Sequence, residues 1–230
     1  TLKNMEENYE GYNKSIRDFF SFIKNRNLQI DGLHDSVANL ISVPKEYEKA
    51  ISTALGGASQ NLVVEKYDQA QAIIEILRKN NLGRITFLPM DTIKDYKKNF
   101  KTSSDLYIDL ASNLVSYDPL YDKIVRFLLE NVIVVKDLSY AKKIYSSGTT
   151  NMKIVTLDGD VLNPGGSVSG GSNNWSGNIF NRKNELDQIK IDLEANKKSL
   201  LTLDREGKSL LEDLTRQDEE IKDLSLENSN

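Results

Sequence analysis

Heptad spacing at both ends of the chain constrains its fold more than any other feature. Apolar side chains stand at Leu2, Met5, Tyr9, Tyr12, Ile16, Phe19 and Ile23, at alternating intervals of three and four. The far end repeats the device at Leu186, Ile189, Leu193, Leu200, Leu203, Leu210, Leu214, Ile221 and Leu224. Asn196, Gly207 and Gln217 occupy the seam positions that break the rule. A 3.5-residue repeat sustained in this way fits a coiled coil. A helix laid on a globular surface would want a wider apolar stripe. The expectation is therefore an outgoing arm over residues 1–26 and a returning arm over 179–230. If the two meet the intervening block at neighbouring points, they pair antiparallel, with Ile23 near Leu186 and Leu2 near Gly207. The block becomes the tip of a rod.

That block differs in composition. Residues 28–178 hold all four prolines and 11 of the 13 glycines. Its pattern alternates helix and strand: a helix from Pro44 to Leu55 stopped by Gly56-Gly57, a strand at Leu62–Val64, and a helix from Tyr67 to Asn80 with Ala70, Ile73, Ile74 and Leu77 inward. A strand at Ile85–Leu88 then stops at Pro89. The order recurs with a helix from Pro119 to Leu129, a strand at Val132–Val135, a helix at Leu138–Tyr145 and a strand at Lys153–Thr156. Tyr47-Glu48-Lys49 matches Tyr121-Asp122-Lys123, and Asn61-Leu62-Val63-Val64 matches Asn131-Val132-Ile133-Val134. Self-similarity of α-β-α-β order at about 70–75 residues predicts two related lobes, 27–104 and 105–178, joined through the polar stretch Asp91–Ser104. The fold class is α/β (α+β).

Lobe two ends in Asp158-Gly159-Asp160-Val161-Leu162-Asn163-Pro164-Gly165-Gly166-Ser167-Val168-Ser169-Gly170-Gly171. Asp158-Gly159 between apolar runs reads as a hairpin turn. Two glycine pairs in an extended stretch predict that another backbone comes close; a flexible linker is the alternative. A phosphate loop would need Lys after the last glycine, where Gly171 stands, and no G-x-S-x-G elbow runs through Ser167 or Ser169.

Composition narrows the function classes. The chain has no cysteine and a single histidine, His34. That excludes thiolate metal sites and disulfides, a histidine metal cluster and a histidine triad, and fits a reducing cytosol. No apolar run is long enough to span a membrane and no signal peptide is visible. A start at Thr1 suggests a piece of something longer. Lys/Arg against Asp/Glu number 5 and 4 in residues 1–27, 16 and 17 in 28–178, and 9 and 13 in 179–230. This is no overall footprint for nucleic acid. The best acid candidates for an enzyme, Asp158 and Asp160, flank a turn glycine, where aspartate is common for conformational reasons.

In this order and spacing the chain resembles the hinge domain of bacterial-type structural maintenance of chromosomes (SMC) proteins. The resemblance rests on Gly32-Leu33-His34 with Val37-Ala38-Asn39-Leu40-Ile41, and on Tyr47-Glu48-Lys49-Ala50-Ile51 with Ala54-Leu55-Gly56-Gly57. It continues through Gly83-Arg84-Ile85-Thr86-Phe87-Leu88-Pro89, Val155 to Asp160, Pro164 to Ser167, Ser169-Gly170-Gly171 and Asn181 to Leu186. It implies a two-lobed hinge between antiparallel coiled-coil arms, and a homodimer whose contact lies on Gly165, Gly166, Ser167, Val168, Gly170 and Gly171. It further implies no catalysis and no cofactor here, since ATP and Mg belong to head domains at the far ends of the arms, where kleisin-type subunits bind. The setting it implies is cytoplasmic and nucleoid-associated. Asp35 stands where the family usually has glycine, and Ser172 to Asn178 is uncharged where many relatives carry lysines. Trp175 either packs on the lobe or stacks on a base.

Three functions follow as expectations. The first is a dimerisation module of a chromosome-organising ATPase. The second, a small enzyme with helical extensions, lacks every motif sought above. The third is a stand-alone DNA-binding α/β module with coiled-coil oligomerisation arms. Antiparallel arms would gather Lys24, Arg26, Arg182 and Lys183 at the neck, enough for weak, non-specific, salt-sensitive DNA contact.

Overall fold

A computed structural model describes residues 11–95, 104–148, 151–171 and 177–227. Gly11, at φ 95°, precedes the first helix, α1 (Lys14–Asn25). Lobe one follows as β1 (Leu33–Ser36), the single turn α2 (Val37–Leu40), β2 (Ile41–Ser42), a 3-10 turn, α3 (Glu48–Leu55), β3 (Leu62–Val64), α4 (Tyr67–Lys79) and β4 (Phe87–Pro89). Lobe two repeats the order: β5 (Asp109–Leu110), a 3-10 turn at Ala111–Leu114, β6 (Ser116–Tyr117), a second 3-10 turn, α5 (Asp122–Leu129), β7 (Val132–Val135), α6 (Leu138–Ser146) and β8 (Lys153–Thr156). It then continues with β9 (Val161–Leu162) and β10 (Val168–Ser169), and the chain closes on the long helix α7 (Gly177–Glu227).

The lobes carry separate sheets, β1-β3-β4 and β10-β9-β8-β7-β5, and a small antiparallel ladder of β2 with β6 links them. In each sheet the strand-helix-strand unit pairs its strands parallel, β3 with β4 and β7 with β8. Strand residues alternate between two cores, as the pleat requires. Val63 and Leu88, with Val134 and Val155, join Ile41, Ile51, Val125, Leu129 and Phe180 in a central core drawn from both lobes. Their neighbours point outward: Leu62 and Val64 onto α4, and Ile133, Ile154 and Leu162 onto α6.

An aspartate-asparagine clasp marks the repeat. Asp35 Oδ1 accepts from the Ser36 amide at 2.6 Å and from Asn39 Nδ2 at 3.0 Å. Asp109 Oδ1 accepts from the Leu110 amide at 2.7 Å and from Asn113 Nδ2 at 2.8 Å. Asp35 has no left-handed backbone, and its place in the turn is that of a side-chain acceptor.

One expectation needs correcting. Within α1 the heptad seam does not face a second coil: Ile16 and Phe19 are buried with Leu62, Val64, Ile73, Leu77 and Ile85 in the outer core of lobe one. Phe20, one residue off the seam, is buried as well and widens the stripe to the breadth a sheet-packing helix needs. Residues 1–10, with the seam positions Leu2, Met5 and Tyr9, lie outside the described residues. Along α7 the described apolar seam residues Ile189, Leu193, Leu200, Leu203, Leu210, Leu214 and Ile221 are all exposed. Contacts divide the chain into one compact unit up to Asn184 and a second from Glu185 onwards.

Candidate dimer interface

The glycine stretch folds as two successive hairpins of one design. In the first, the Thr156 amide donates to Asp160 O and the Gly159 amide to Thr156 O, both at 2.9 Å. In the second, the Asn163 amide donates to Ser167 O and the Gly166 amide to Asn163 O, again at 2.9 Å. Each loop ends on a glycine in the left-handed region, Gly159 at φ 84° and Gly166 at φ 86°, which is the three-residue hairpin closure that needs glycine. Asn163 Nδ2 adds a bond to Ser167 Oγ at 3.0 Å. The first glycine pair therefore sits in a turn, not in an extended strand as expected.

The four glycines divide by role. A side chain on Gly166 would meet the Tyr145 hydroxyl at 2.7 Å, and one on Gly170 would run into the Asp160 carboxylate. Gly171 is left-handed at φ 116° with open space around it. Gly165 is neither left-handed nor crowded, so nothing within the described chain requires a glycine there. β10 pairs with β9 on one side only and ends its sheet, leaving Val168 59% exposed beside exposed Ser169 and Gly170. An unpaired edge with an apolar residue on it is an association hazard unless a partner covers it.

Lobe one ends in a second open edge. No described strand lies beyond β4, and Pro89, which has no amide hydrogen to donate, is tolerated at such an edge. Between this edge and α4 runs a groove of about 580 Å³. Ile74, Leu77, Ile85 and Phe87 line it, with Arg78 and Arg84 at the rim. Ile74, expected inward, is half-buried because it forms the groove wall.

Several groups tie the lobes together behind these edges. Lys153 Nζ reaches from β8 to the last carbonyls of α3, 3.0 Å from Ala54 O and 3.4 Å from Thr53 O. Burial pushes its pKa down from the ordinary lysine value, while the helix C-terminus it caps favours the cation. Lys49 and Asp158 approach to 3.8 Å on the same side. The Tyr121 hydroxyl shares a hydrogen bond with His34 Nδ1 at 3.0 Å, and burial, then Asp118 and Asp35, raise its pKa. From the sequence, none of these groups was assigned to a link between the lobes. The Asp-x-x-x-Asn repeat at Asp35 and Asp109 was readable there; the reach of Lys153 across the lobes was not.

The expected DNA-contact residues are only partly in view. Lys24 and Arg26 are exposed at the end of α1, with the Arg26 guanidinium 4.5 Å from the Phe22 ring centroid. The side chains of Arg182 and Lys183, and all of Ser172 to Ser176 with Trp175, lie outside the described residues. Among the described residues there is no acidic or histidine cluster that could hold a metal, and no helix long and apolar enough to cross a membrane.

A family model described as the SMC proteins flexible hinge domain matches residues 30–145. The chromosome partition protein Smc of Clostridium kluyveri is 34% identical over 230 residues, covering 96% of this chain and 19% of that protein. Its counterpart in Bacillus subtilis is 31% identical over 215 residues, covering 91% and 18%. Among solved structures, an asymmetric dimer of the Geobacillus stearothermophilus SMC hinge domain aligns with TM-score 0.77 and 34% identity, over 89% of this chain and 82% of that one. The Pyrococcus furiosus SMC hinge domain aligns with TM-score 0.53 and 26% identity, over 70% and 90%. The chain spans about a fifth of the length of the curated relatives it matches.

Proposed function

This chain belongs to the SMC flexible hinge domain family, and from that premise we propose that it joins two copies of a chromosome-partition protein at the tips of their coiled-coil arms. One observation carries the reading: among the described residues each lobe ends in an unpaired sheet edge, and the two edges differ. Lobe one of each copy meets lobe two of the other, so two equivalent contacts close a ring around a twofold axis. Gly165, Gly166, Ser167, Val168, Gly170 and Gly171 form one side of each contact.

In this reading 27–104 and 105–178 are the lobes, and 1–26 and 179–230 begin the arms, with α1 serving lobe one as well. The hinge performs no chemistry. ATP, Mg and kleisin-type subunits belong to head segments outside these 230 residues, in a cytoplasmic, nucleoid-associated protein. Lys24, Arg26, Arg182 and Lys183 supply weak, sequence-independent DNA contact that salt abolishes.

The glycine roles guide the test. A charge at Gly166 or Gly170 disturbs Tyr145 or Asp160 within the chain, so the cleaner probe is exposed Val168. Sedimentation equilibrium should show the parent as a dimer at micromolar concentration and Val168→Asp as a folded monomer with the parent's helix content. A parent that stays monomeric at that concentration defeats the proposal.

A further inference from the structure

The two lobes meet at matching joints that differ in one pair of residues. Each lobe carries a tyrosine just ahead of a helix, Tyr47 before α3 and Tyr121 before α5. Each tyrosine feels the aspartate clasp of the other lobe: Asp109 bears on the Tyr47 hydroxyl and Asp35 on that of Tyr121. In lobe two the residue before Asp109 is Ile108 and the residue after Val134 is Val135. The same places in lobe one hold His34 and Glu65. One joint is apolar where the other can take up a proton.

The imidazole of His34 has unlike neighbours at its two nitrogens. Nδ1 shares its hydrogen bond with the Tyr121 hydroxyl at 3.0 Å, and the two rings meet edge to face with centroids 5.5 Å apart. Nε2 is buried without a hydrogen-bond partner, and Glu65 Oε1 stands 3.9 Å from it. A neutral imidazole has one N–H for these two sides. With that proton on Nδ1, the Nε2 lone pair faces a carboxylate. With it on Nε2, the buried N–H falls short of hydrogen-bond distance to Glu65, and an unmet buried donor is costly. The imidazolium donates on both sides, to Tyr121 from Nδ1 and toward Glu65 from Nε2. The Glu65 side chain is 52% exposed and has room to close the gap. The other charges that bear on the Tyr121 hydroxyl are negative as well: Asp118, in the turn ahead of α5, and Asp35, on β1 itself.

We propose that His34 is a proton-operated clasp between the lobes: a proton taken from solvent onto the imidazole draws Glu65 onto Nε2 and fixes Nδ1–H on Tyr121, holding lobe one to lobe two more firmly. The clasp works through the range in which histidine ordinarily titrates, around pH 6.5. Its grip is present below that range and is lost as pH rises through it. It fades again near pH 4, where carboxylates take up protons of their own. The joint at Tyr47, with Ile108 and Val135 in the matching places, stays indifferent. The device needs no second copy and goes beyond the self-association proposed above.

Amide hydrogen exchange on the full 230-residue chain, corrected for its intrinsic pH dependence, reads both joints at once. Val168→Asp as the common background keeps self-association out of the comparison. Between about pH 8 and about pH 5.5, protection across β1 and at Tyr121 should rise roughly fivefold, while protection across β5, beside Ile108, stays level. Glu65→Gln should remove most of the rise. Glu65→Lys should reverse it, because the protonated imidazole then faces a like charge. His34→Gln, which takes up no proton, should abolish it. Both Glu65 variants alter an exposed side chain, so they read the clasp even if His34→Gln does not fold. A parent without the rise, an equal rise across β1 and β5, or a Glu65→Lys variant that still gains protection on acidification would each overturn the proposal.

Discussion

Lobe one and lobe two run through one order of strand, turn, strand, helix, strand, helix and strand, yet among the described residues only lobe two goes on for two strands more. Lobe two fills the space beside α6 with its own β9 and offers β10 outward; lobe one leaves the same space open. In exchange lobe one takes up α1, whose Ile16, Phe19 and Phe20 complete the core under α4, whereas lobe two completes its outer core with Met152, Leu106 and Tyr107. The difference shows how a repeated unit becomes two unlike halves of one contact. A socket and a plug on the same chain make a closed pair of chains, whereas two sockets would make none.

The largest effect expected tests whether α1 is part of lobe one or only the start of an arm. Phe19 is fully buried, so Phe19→Ala should destabilise the folded chain by about 3–5 kcal/mol, much as Ile144→Ala does by about 2–5 kcal/mol in lobe two. Leu200→Ala, on the exposed seam of α7, should shift the urea midpoint far less. Should Phe19→Ala leave the midpoint near the parent's, α1 is an independent arm and the two lobes are not closed in comparable ways.

A smaller effect addresses the likeness of the lobes. Asp35→Ala and Asp109→Ala each remove one acceptor that binds a backbone amide and an asparagine. Each should cost about 1 kcal/mol, with similar values in the two lobes and near-additivity in the double variant. A large cost in one lobe and none in the other would mean that the clasp is a shared shape without a shared role.

These residues also show where sequence reasoning carries and where it stops. Strand β7 and helices α3 and α4 were legible because four-residue β-branched runs and helical apolar spacing are local signals. The heptad seam through Tyr12, Ile16, Phe19 and Ile23 was legible too, but its spacing does not say whether a helix or a sheet lies opposite. Phe20 was the hint that decided it. The glycines were legible as a site and ambiguous one by one. Gly159 and Gly166 close hairpins of one kind, Gly170 makes way for Asp160, and only Gly165 has no duty inside the described chain. The groove beside β4 has no local signal at all. A strand present in lobe two has no described counterpart there in lobe one, and only laying one lobe over the other reveals it.

The smallest effect separates two tyrosines at matching positions of the repeat. Tyr121 hydrogen-bonds His34 across the lobes, and burial is the first cause of its raised pKa. Tyr47 also holds its proton more tightly than usual, first through its bond to the neighbouring Glu46. A tyrosine whose folded pKa is raised contributes stability in full below its unfolded value of about 10, and loses it as pH climbs through the folded value. Lys153 works the other way in the same range, since its folded pKa is lowered and its contribution grows as pH rises toward the ordinary lysine value. The parent should therefore show a shallow loss of urea resistance above about pH 10, and Tyr121→Phe, lacking the group that ionises, should lose less over that interval. Tyr47→Phe should keep the parent's decline more nearly, because its hydroxyl answers first to a neighbour in its own turn, and Asp109 of the other lobe is the last of its causes. Equal slopes for the two variants would mean that the His34 contact does not distinguish the two lobes' tyrosines, and that the link between lobes rests on the shared apolar core and on Lys153.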